Sequence, residues 1–551
     1  MPPMPLATRL APLFVLLAAL GACQGGRSTT VENPPPDPGG TPLEPPLEDS
    51  PLSCPAAVDV LQAAEILPEL LPDEALLEEW QIRMVDYGIR FTGSPALAAF
   101  HDFLAAELQS YGLDVQREPV PVHWWEHQEW SLDLLSAEGE EPVPVAAYFP
   151  YSGQTPAEGV TAELVDVGTG LAPDFALADV QGKIAFFEVD LLPLTMALFY
   201  ATASYVHDPD FNTLPTTPYD KMSLSILTPQ LSILPPEQIT ALALAEQMGA
   251  VGAVISLDAS AANAAGQYTP FHAAPGHHQV PSLYLDRATG DALKARIGGG
   301  QQARLRLLVQ DQPEGMSDDI IATLPGQSDE VIIINSHTDG TSASEENGTL
   351  AVLALARYFS RLPQHCRQRT MVFVLTPGHF QGGLDDTGRF IANHPEIIAR
   401  AVGSVTPEHL GQQEWLDDAQ GYHPSGLPEP GVFYGSYAPA MQSIMTQAVI
   451  AEDLRRVIVS RPIGPIYFGV GSPLNQAGVP NAGYLTGPHA LYSWAENQHL
   501  NKMDYERMAA EIRTMTRVVA AIDGTEKAVL CAGMTPPLNG SLGPCLGSVL
   551  P

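Results

Sequence analysis

The sequence is short of positive charge and of cysteine. In 551 residues, lysine and arginine number 26 against 63 aspartates and glutamates, so the formal net charge is −37. A surface this acidic repels phosphate backbones, which excludes nucleic acid as the expected partner. The 5 cysteines do not have the spacing of a zinc module. Gly-x-Ser-x-Gly, phosphate-loop and dinucleotide motifs are also missing, which disfavours serine hydrolases and nucleotide-dependent enzymes.

The N-terminus has the pattern of an export signal. Arg9 precedes an apolar run over residues 10–22, which is short for a membrane span and typical of a signal peptide. The run ends in Leu20-Gly21-Ala22-Cys23, which resembles a bacterial lipoprotein box. The resemblance implies a signal peptide over 1–22 and lipid on Cys23. Because Gln24 follows, it also implies an outer-membrane lipoprotein facing the periplasm or the cell surface. An ordinary signal peptide is the alternative.

Residues 23–55 are rich in proline and poor in apolar side chains, which predicts an extended tether. An exported chain permits disulfides among its other cysteines, which are Cys54, Cys366, Cys531 and Cys545. We expect Cys531 to pair with Cys545 and to pin a C-terminal tail over 526–551. A link from Cys54 to one of these two is the alternative.

Helical and strand patterns alternate through the body of the chain. Apolar periodicity predicts one helix over 96–110 and another over 348–362. Short β-branched runs predict buried parallel strands over 331–334, 370–375 and 402–405. This order is typical of an α/β fold with a doubly wound, mostly parallel sheet.

Residues 141–310 have a different pattern. A Gly182-Lys183 turn leads into a strand, a helix ends in Gly249-Ala250-Val251-Gly252, and Val280-Pro281 opens another strand. This order resembles a protease-associated domain, which is an insert that shapes access to a site or binds partner proteins. A generic α/β insert is the alternative.

Candidate metal ligands follow the predicted strands. His337 and Asp339 come directly after the strand over 331–334, Glu346 precedes the next helix, and Glu408 follows the strand over 402–405. Ligands in open α/β sheets bind beyond the carboxyl ends of the strands. One imidazole and two carboxylates suit zinc in an open catalytic site.

The order of these motifs resembles the co-catalytic zinc aminopeptidase family, which includes glutamate carboxypeptidases, glutaminyl cyclases and the transferrin receptor. The supporting motifs are Arg90-Phe91-Thr92-Gly93-Ser94, His337-x-Asp339, Glu346-Asn347-Gly348, Glu408 before Leu410-Gly411, and Ala477-Gly478-Val479-Pro480. The resemblance implies a zinc-peptidase-like domain over 56–140 and 311–525, interrupted by the insert. It implies a metal held by His337, Glu346 and Glu408, with Asp339 in a catalytic role.

Two departures from the family concern its second metal. The family has Gly-x-Glu-Glu after its next strand, where this chain has Gly378-His379-Phe380. The family's last ligand is a histidine after a tyrosine, where Ser493 follows Tyr492 here. We therefore expect a single zinc. His379 occupies the position of the catalytic base and is predicted to take that role; a fourth metal ligand is the alternative for His379 and also for His409.

A second metal motif lies at residues 123–127. His123-Trp124-Trp125-Glu126-His127 fits the pattern of inverted zincins. That chemistry needs both imidazoles on one helix face. The surrounding residues have the pattern of a strand instead, and Pro121 argues against a long helix. Aromatic packing is the favoured interpretation.

Three functions remain open from the sequence. The first is a lipid-anchored zinc hydrolase of the aminopeptidase type acting on peptides. The second is a catalytically degenerate member that binds a partner. The third is a single-zinc non-peptidase, such as a glutaminyl-cyclase-like acyltransferase. The missing Glu-Glu pair favours the degenerate binding protein and the single-zinc non-peptidase. The retained ligands of the first metal favour the zinc hydrolase and the single-zinc non-peptidase.

Overall fold

The computed structural model describes residues 54–55, 60–189, 192–210, 214, 221–227, 240–268, 278–381, 384, 386–462, 467, 469–495, 497–534 and 543–545. Side chains are described for these residues except 192–198 and 221–227. The predicted signal peptide, Cys23 and the tether up to residue 53 lie outside them. None of the helices in this described part is long and apolar enough to cross a membrane.

The strands are, in chain order, β1 (Asp114–Ser136), β2 (Gly139–Val143), β3 (Ala147–Tyr148), β4 (Val160–Asp166), β5 (Ile184–Val189), β6 (Leu192–Thr195), β7 (Ala203–His207), β8 (Lys221–Leu227), β9 (Gly252–Leu257), β10 (Ser282–Leu285), β11 (Gln302–Leu324), β12 (Ser328–His337), β13 (Arg369–Thr376), β14 (Ala401–Pro407), β15 (Gln413–Asp418), β16 (Gly421–Pro428), β17 (Gly431–Gly435), β18 (Val457–Ser460) and β19 (Asn481–Thr486).

The α-helices are α1 (Glu74–Asp86), α2 (Pro95–Ser110), α3 (Ala172–Leu177), α4 (Met196–Thr202), α5 (Ala241–Gln247), α6 (Ala261–Ala264), α7 (Arg287–Lys294), α8 (Gly348–Arg361), α9 (Asp386–Asn393), α10 (Pro395–Arg400), α11 (Pro439–Ala451), α12 (Ser472–Gln476), α13 (Tyr505–Gly524) and α14 (Lys527–Cys531).

A mixed sheet of 15 strands runs through the molecule in the order β3-β10-β9-β5-β4-β11-β13-β12-β14-β19-β17-β18-β7, with β1 paired to β11 and β2 to β1. At its centre, β12 is parallel to both β13 and β14, and β14 is parallel to β19. The β12 side chains alternate between two cores, since Ile332 packs on the side of α8 and α13 and Ile333 on the opposite side. The predicted α/β fold is confirmed.

The start of α8 is fixed by a close approach of backbone to backbone. A Cβ atom on Gly348 would meet the peptide oxygen of Pro407 at 2.1 Å and Oγ of Ser336 at 2.4 Å. Only glycine fits between the ends of β12 and β14 here. This contact holds the residues before α8 against the carboxyl edge of the sheet.

The region predicted as an insert contains the parallel strands β4, β5, β9 and β10. It is joined to the rest of the sheet by the two long antiparallel strands β1 and β11, and the predicted boundary at 310–311 falls inside β11. One part of this region lies elsewhere, because β7 pairs with β18 at the far edge of the sheet. Phe199 and Leu214 share a core there with Val432 and Ile458.

The two disulfides join Cys531 to Cys545 and Cys54 to Cys366. The first is the predicted pair. The second differs from the alternative considered for Cys54. Ala64 and Ile66 pack in the same core as α8, and Cys366 follows that helix closely in the chain.

Candidate metal centre

Buried histidines and glutamates, among them the predicted ligands His337 and Glu408, converge at the carboxyl edge of the central strands. His337 is the last residue of β12, Glu408 and His409 follow β14, and His379 lies in the loop after β13. Glu345 lies in the loop that leads into α8. Parallel strands bring their carboxyl ends to one edge, so these distant segments of the chain meet there.

His337 is fully buried and presents one nitrogen to this cluster. Its Nδ1 lies 2.9 Å from the peptide oxygen of Asp339. A carbonyl only accepts, so Nδ1 carries the proton and Nε2 has the lone pair. Nε2 makes no hydrogen bond within the described residues. Burial, together with the neighbouring His379 and His409, holds the pKa of His337 well below its usual value.

His409 is arranged in the same way. Its Nδ1 lies 3.0 Å from the peptide oxygen of Thr486, and its Nε2 lies 3.3 Å from Oε2 of Glu345. The residue adopts a left-handed backbone conformation, with φ of 56°, which side-chain-bearing residues adopt rarely and often at functional sites. Burial by itself lowers the pKa of His409, but Glu345 and Glu408 reverse this and raise it to about 9.

Glu345 stands between the imidazoles. Its Oε1 lies 4.0 Å from Nε2 of His337 and 3.7 Å from Nε2 of His379. The side chain is fully buried, and apart from these contacts with histidines, the nearest being Nε2 of His409, neither oxygen has a hydrogen bond from any residue that the structure describes. Burial raises the pKa of this carboxyl. Leaving such an acceptor unpaired in the interior costs about 1–3 kcal/mol, or more when it is charged.

The structure places Glu346, the predicted ligand, against Arg90 instead. The Arg90 guanidinium donates from Nε to Oε1 of Glu346 and from Nη1 to the peptide oxygen of Met84. Both partners of this ion pair are fully buried. Burial raises the pKa of Glu346 to about 7, against the opposing effect of Arg90. Because consecutive side chains of a loop point in different directions, Glu345 takes the place in the cluster that the sequence suggested for Glu346.

Glu408 lies on the other side of His337. Its ligand atom lies within 4.8 Å of those of His337 and His409. Oε1 of Glu408 accepts from the Tyr434 hydroxyl, and the Val470 amide donates to the carboxylate. Burial raises the pKa of Glu408 to about 7.

His379 is the most exposed side chain of the cluster, at 19%. Its ring stacks on that of His337 with 4.1 Å between centroids. Nδ1 of His379 lies 3.4 Å from Oδ2 of Asp386, the first residue of α9. Asp386 was not among the residues predicted for the site. Its only signal was an acidic residue at the start of a helix, which is common for reasons of helix stability.

Asp339 acts on this cluster through the backbone. Its carboxylate accepts from the amides of Gly378, His379 and Phe380 at 2.9–3.1 Å and from the Thr92 hydroxyl. The peptide oxygen of Asp339, rather than its carboxylate, meets the His337 ring. Asp339 therefore holds the loop of His379 and orients His337, and its carboxylate does not face the ligand atoms.

The donor atoms fit a divalent metal ion. Zinc binds nitrogen and oxygen at about 2.0–2.2 Å, which puts tetrahedral ligand atoms about 3.3–3.5 Å apart. Oε2 of Glu345 lies 3.3 Å from Nε2 of His409, and Oε1 of Glu345 lies 4.0 Å from Nε2 of His337, so these spacings are close to those of zinc ligands. Both histidines donate Nδ1–H to a peptide oxygen, which is the usual arrangement of metal-binding imidazoles. The unpaired atoms of His337, Glu345 and His409 would all be satisfied by one cation.

The motif over 123–127 forms no comparable cluster. It lies in β1, and Nε2 of His123 contacts Asp311. His127 stacks between Tyr148 and Trp494 with centroid distances of 4.4 and 4.7 Å. The two imidazoles thus have separate surroundings, as expected for aromatic packing.

Several solved structures that share this architecture are peptidases by name. The Peptidase M28 precursor from Shewanella amazonensis SB2B superposes with a TM-score of 0.58 at 20% identity, covering 84% of this chain and 98% of that one. BSAP, a zinc aminopeptidase from Bacillus subtilis, gives a TM-score of 0.54 at 15% identity, covering 82% and 95%. The aminopeptidase from Aneurinibacillus sp. strain AM-1 gives 0.52 at 19% identity, also covering 82% and 95%. The chain has the fold of these peptidases.

At these identities the likeness concerns the fold, and function must be argued from the site. No protein-family model and no curated protein matches the sequence. The residues of the cluster therefore carry the functional argument.

Proposed function

We propose that this protein is a zinc-dependent hydrolase of the aminopeptidase type that acts on peptides through a single-ion site. The observation that carries the proposal is a set of neighbouring buried atoms that lack hydrogen bonds within the described residues. Oε1 of Glu345 lies 4.0 Å from Nε2 of His337, and Oε2 of Glu345 lies 3.3 Å from Nε2 of His409. Interiors do not ordinarily leave such atoms unpaired, so the cluster is built for a cation. Imidazole and carboxylate ligands in a fold shared with a zinc aminopeptidase favour zinc.

The ligands would be His337, Glu345, Glu408 and His409. His337 has only one nitrogen lone pair available for a metal, which supports one ion rather than two. This residue belongs to both candidate groups of ligands, one with Glu408 and His409 and one with Glu345 and His379. Its Nδ1 is already committed to a peptide oxygen, so only Nε2 can bind a metal. When bound, zinc would polarise a peptide carbonyl and lower the pKa of a water molecule.

His379 is proposed as the general base. It is the outermost member of the cluster, and its Nε2 points inward at Glu345. In this role Nε2 takes a proton from the attacking water as the water oxygen bonds to the peptide carbon. The same proton then passes to the leaving nitrogen as the peptide bond breaks. Asp339 keeps His379 in place by holding its backbone amide.

The insert is proposed to shape access to this site. The Tyr268 amide donates to the peptide oxygen of Tyr492 at 2.7 Å, and the Trp494 amide donates to that of Gly266 at 3.1 Å. The Tyr268 ring lies 5.7 Å from that of Phe380, the neighbour of His379. Part of the insert therefore reaches the loop beside the base. A protein partner that binds the insert would act on the site through these contacts.

The test is metal analysis of protein purified without chelator, combined with turnover of aminoacyl and dipeptide substrates. We expect about one zinc per chain in the wild type. H337A and E345Q should lose it, and the matched variant E346Q should retain it. No zinc in the wild type would contradict the proposal and favour a binding module. Bound zinc with no peptide hydrolysis but cyclisation of N-terminal glutamine would favour the acyltransferase.

Anchoring by lipid on Cys23 is a separate proposal, supported by the sequence motif alone. Expression of the wild type and C23S in a bacterium, with a metabolic lipid label, tests it. We expect label and membrane sedimentation for the wild type and neither for C23S. Equal sedimentation of both would contradict lipid anchoring.

A further inference from the structure

We infer that Asp386 is the positioning residue of His379, and that these two residues form an Asp–His pair in place of a carboxylate base. This inference rests on the proposed hydrolase function. Oδ2 of Asp386 lies 3.4 Å from Nδ1 of His379, while Nε2 on the other side of the ring faces the cluster. Catalytic contacts are often this long before substrate binds.

The position of Asp386 is set independently of His379. Asp386 begins α9, and its Oδ1 accepts a hydrogen bond from the Thr387 amide at 2.5 Å. The same helix carries Arg389, which forms an ion pair with Asp319 at 2.6 Å. One oxygen of Asp386 is therefore held by its own helix, and the other is directed at the imidazole.

This arrangement selects the tautomer that a base requires. A carboxylate only accepts hydrogen bonds, so Oδ2 of Asp386 favours a proton on Nδ1 of His379. Nε2 then keeps its lone pair and can take the proton of the attacking water. Two further contacts restrict the ring, namely stacking on His337 and the hydrogen bond from the His379 amide to Asp339. Together they aim Nε2 at the space beside Glu345.

The substitution Asp386→Asn tests the pairing because it should reverse the tautomer of His379. The Asn oxygen would keep the bond from the Thr387 amide, so its NH₂ group would face Nδ1 of His379. An NH₂ group only donates in this contact, so His379 would move its proton to Nε2 and lose its ability to accept one. The variant keeps the shape of the side chain and its helix contact.

The first readout uses the metal-free protein labelled with ¹⁵N-histidine, with the His379 signal assigned by its loss in H379Q. We expect the Nδ1–H tautomer in the wild type and the Nε2–H tautomer in D386N. D386E should restore the wild-type tautomer, at least in part. The control is D329N, which removes the same charge from an exposed residue and should leave the tautomer unchanged.

The second readout is steady-state kinetics of the zinc-loaded enzyme. General bases contribute about 10²–10⁴-fold, and we expect D386N to lower kcat by at least about 10-fold with KM within about twofold. The double variant H379A/D386N should be no slower than H379A alone, because both remove one function. Zinc content should remain that of the wild type.

The outcomes separate this inference from the proposed function. A wild type without turnover would overturn the hydrolase, while the tautomer would still decide whether Asp386 directs His379. An active wild type whose tautomer and kcat do not change in D386N would overturn the inference. An equal effect from D329N would also overturn it, since the effect would then come from net charge rather than from pairing.

Discussion

Asp339 and His379 lie after different strands, and the carboxylate of Asp339 accepts a hydrogen bond from the backbone amide of His379 at 3.1 Å. The amides on either side, of Gly378 and Phe380, bind the same carboxylate. One buried acid thus holds three consecutive peptide units of the loop after β13. Asp339, two residues after the proposed ligand His337, thereby fixes the backbone of the proposed base, His379.

We predict that Asp339→Asn destabilises the protein by about 2–4 kcal/mol. An Asn NH₂ group would face backbone N–H groups that the carboxylate now satisfies, and hydrogen bonds to charged groups contribute about 1.5–3 kcal/mol. Urea unfolding of the metal-free protein measures the loss. The exposed Asp114→Asn is the control and should change stability by less than about 0.5 kcal/mol. A change of that size in D339N would mean that the loop does not depend on Asp339.

Adjacent glutamates should respond to substitution in opposite ways. Glu346→Gln leaves Arg90 buried without its charge partner and should cost about 3–5 kcal/mol of unfolding free energy. Glu345→Gln removes an unpaired buried acid and should leave the metal-free protein as stable as the wild type or more so. Unfolding in the presence of a chelator compares them. Loss of stability in E345Q with none in E346Q would reverse the assignment of the two residues.

Stability should fall in acid because of His101. This residue is buried, and desolvation followed by the charge of Arg117 lowers its pKa from 6.5 to about 3. The folded-state pKa lies below the unfolded value, so the neutral form is favoured in the folded state. The contribution is complete above pH 6.5 and is lost as the pH falls from 6.5 toward 3, by up to about 1.4 kcal/mol per pH unit. Urea unfolding at pH 7, 6 and 5 should show a shallower decline in His101→Gln; an identical slope would contradict this origin.

The two disulfides should differ in their effect on stability. Cys54–Cys366 spans 312 residues and Cys531–Cys545 spans 14. In the chain-entropy account, a bond that closes a longer loop restricts the unfolded chain more, by about 3 kcal/mol over this range. We therefore expect the double variant C54S/C366S to lower the urea midpoint more than C531S/C545S does. The reverse order would indicate that local strain or packing outweighs loop length.

The elements could be predicted from the sequence because their signals are local. The helix expected over 96–110 is α2, which begins at Pro95 after the Ser94 cap and ends at Ser110. The strands expected over 331–334 and 370–375 are β12 and β13, which are longer than expected by six and two residues. Buried parallel strands are apolar on both faces, and this pattern is visible without any partner.

The pairing of β7 with β18 could not be predicted. Strand β7 comes from the middle of the region interpreted as an insert, and its residue Tyr205 pairs with Val459, which lies 254 positions later in the chain. The sequence of a short strand does not indicate which edge of a sheet it will pair with, because an edge strand can pair with any strand that has free backbone groups.

The amino-acid sequence by itself determined the α/β architecture and the short list of residues able to bind a metal, since both follow from periodicity and from chemical type near strand ends. Only the tertiary structure decided between Glu345 and Glu346, brought Asp386 to His379 and gave Asp339 its backbone role. The reason is geometric: the direction of a side chain in a loop depends on contacts with residues far away in the chain, such as the ion pair that turns Glu346 toward Arg90.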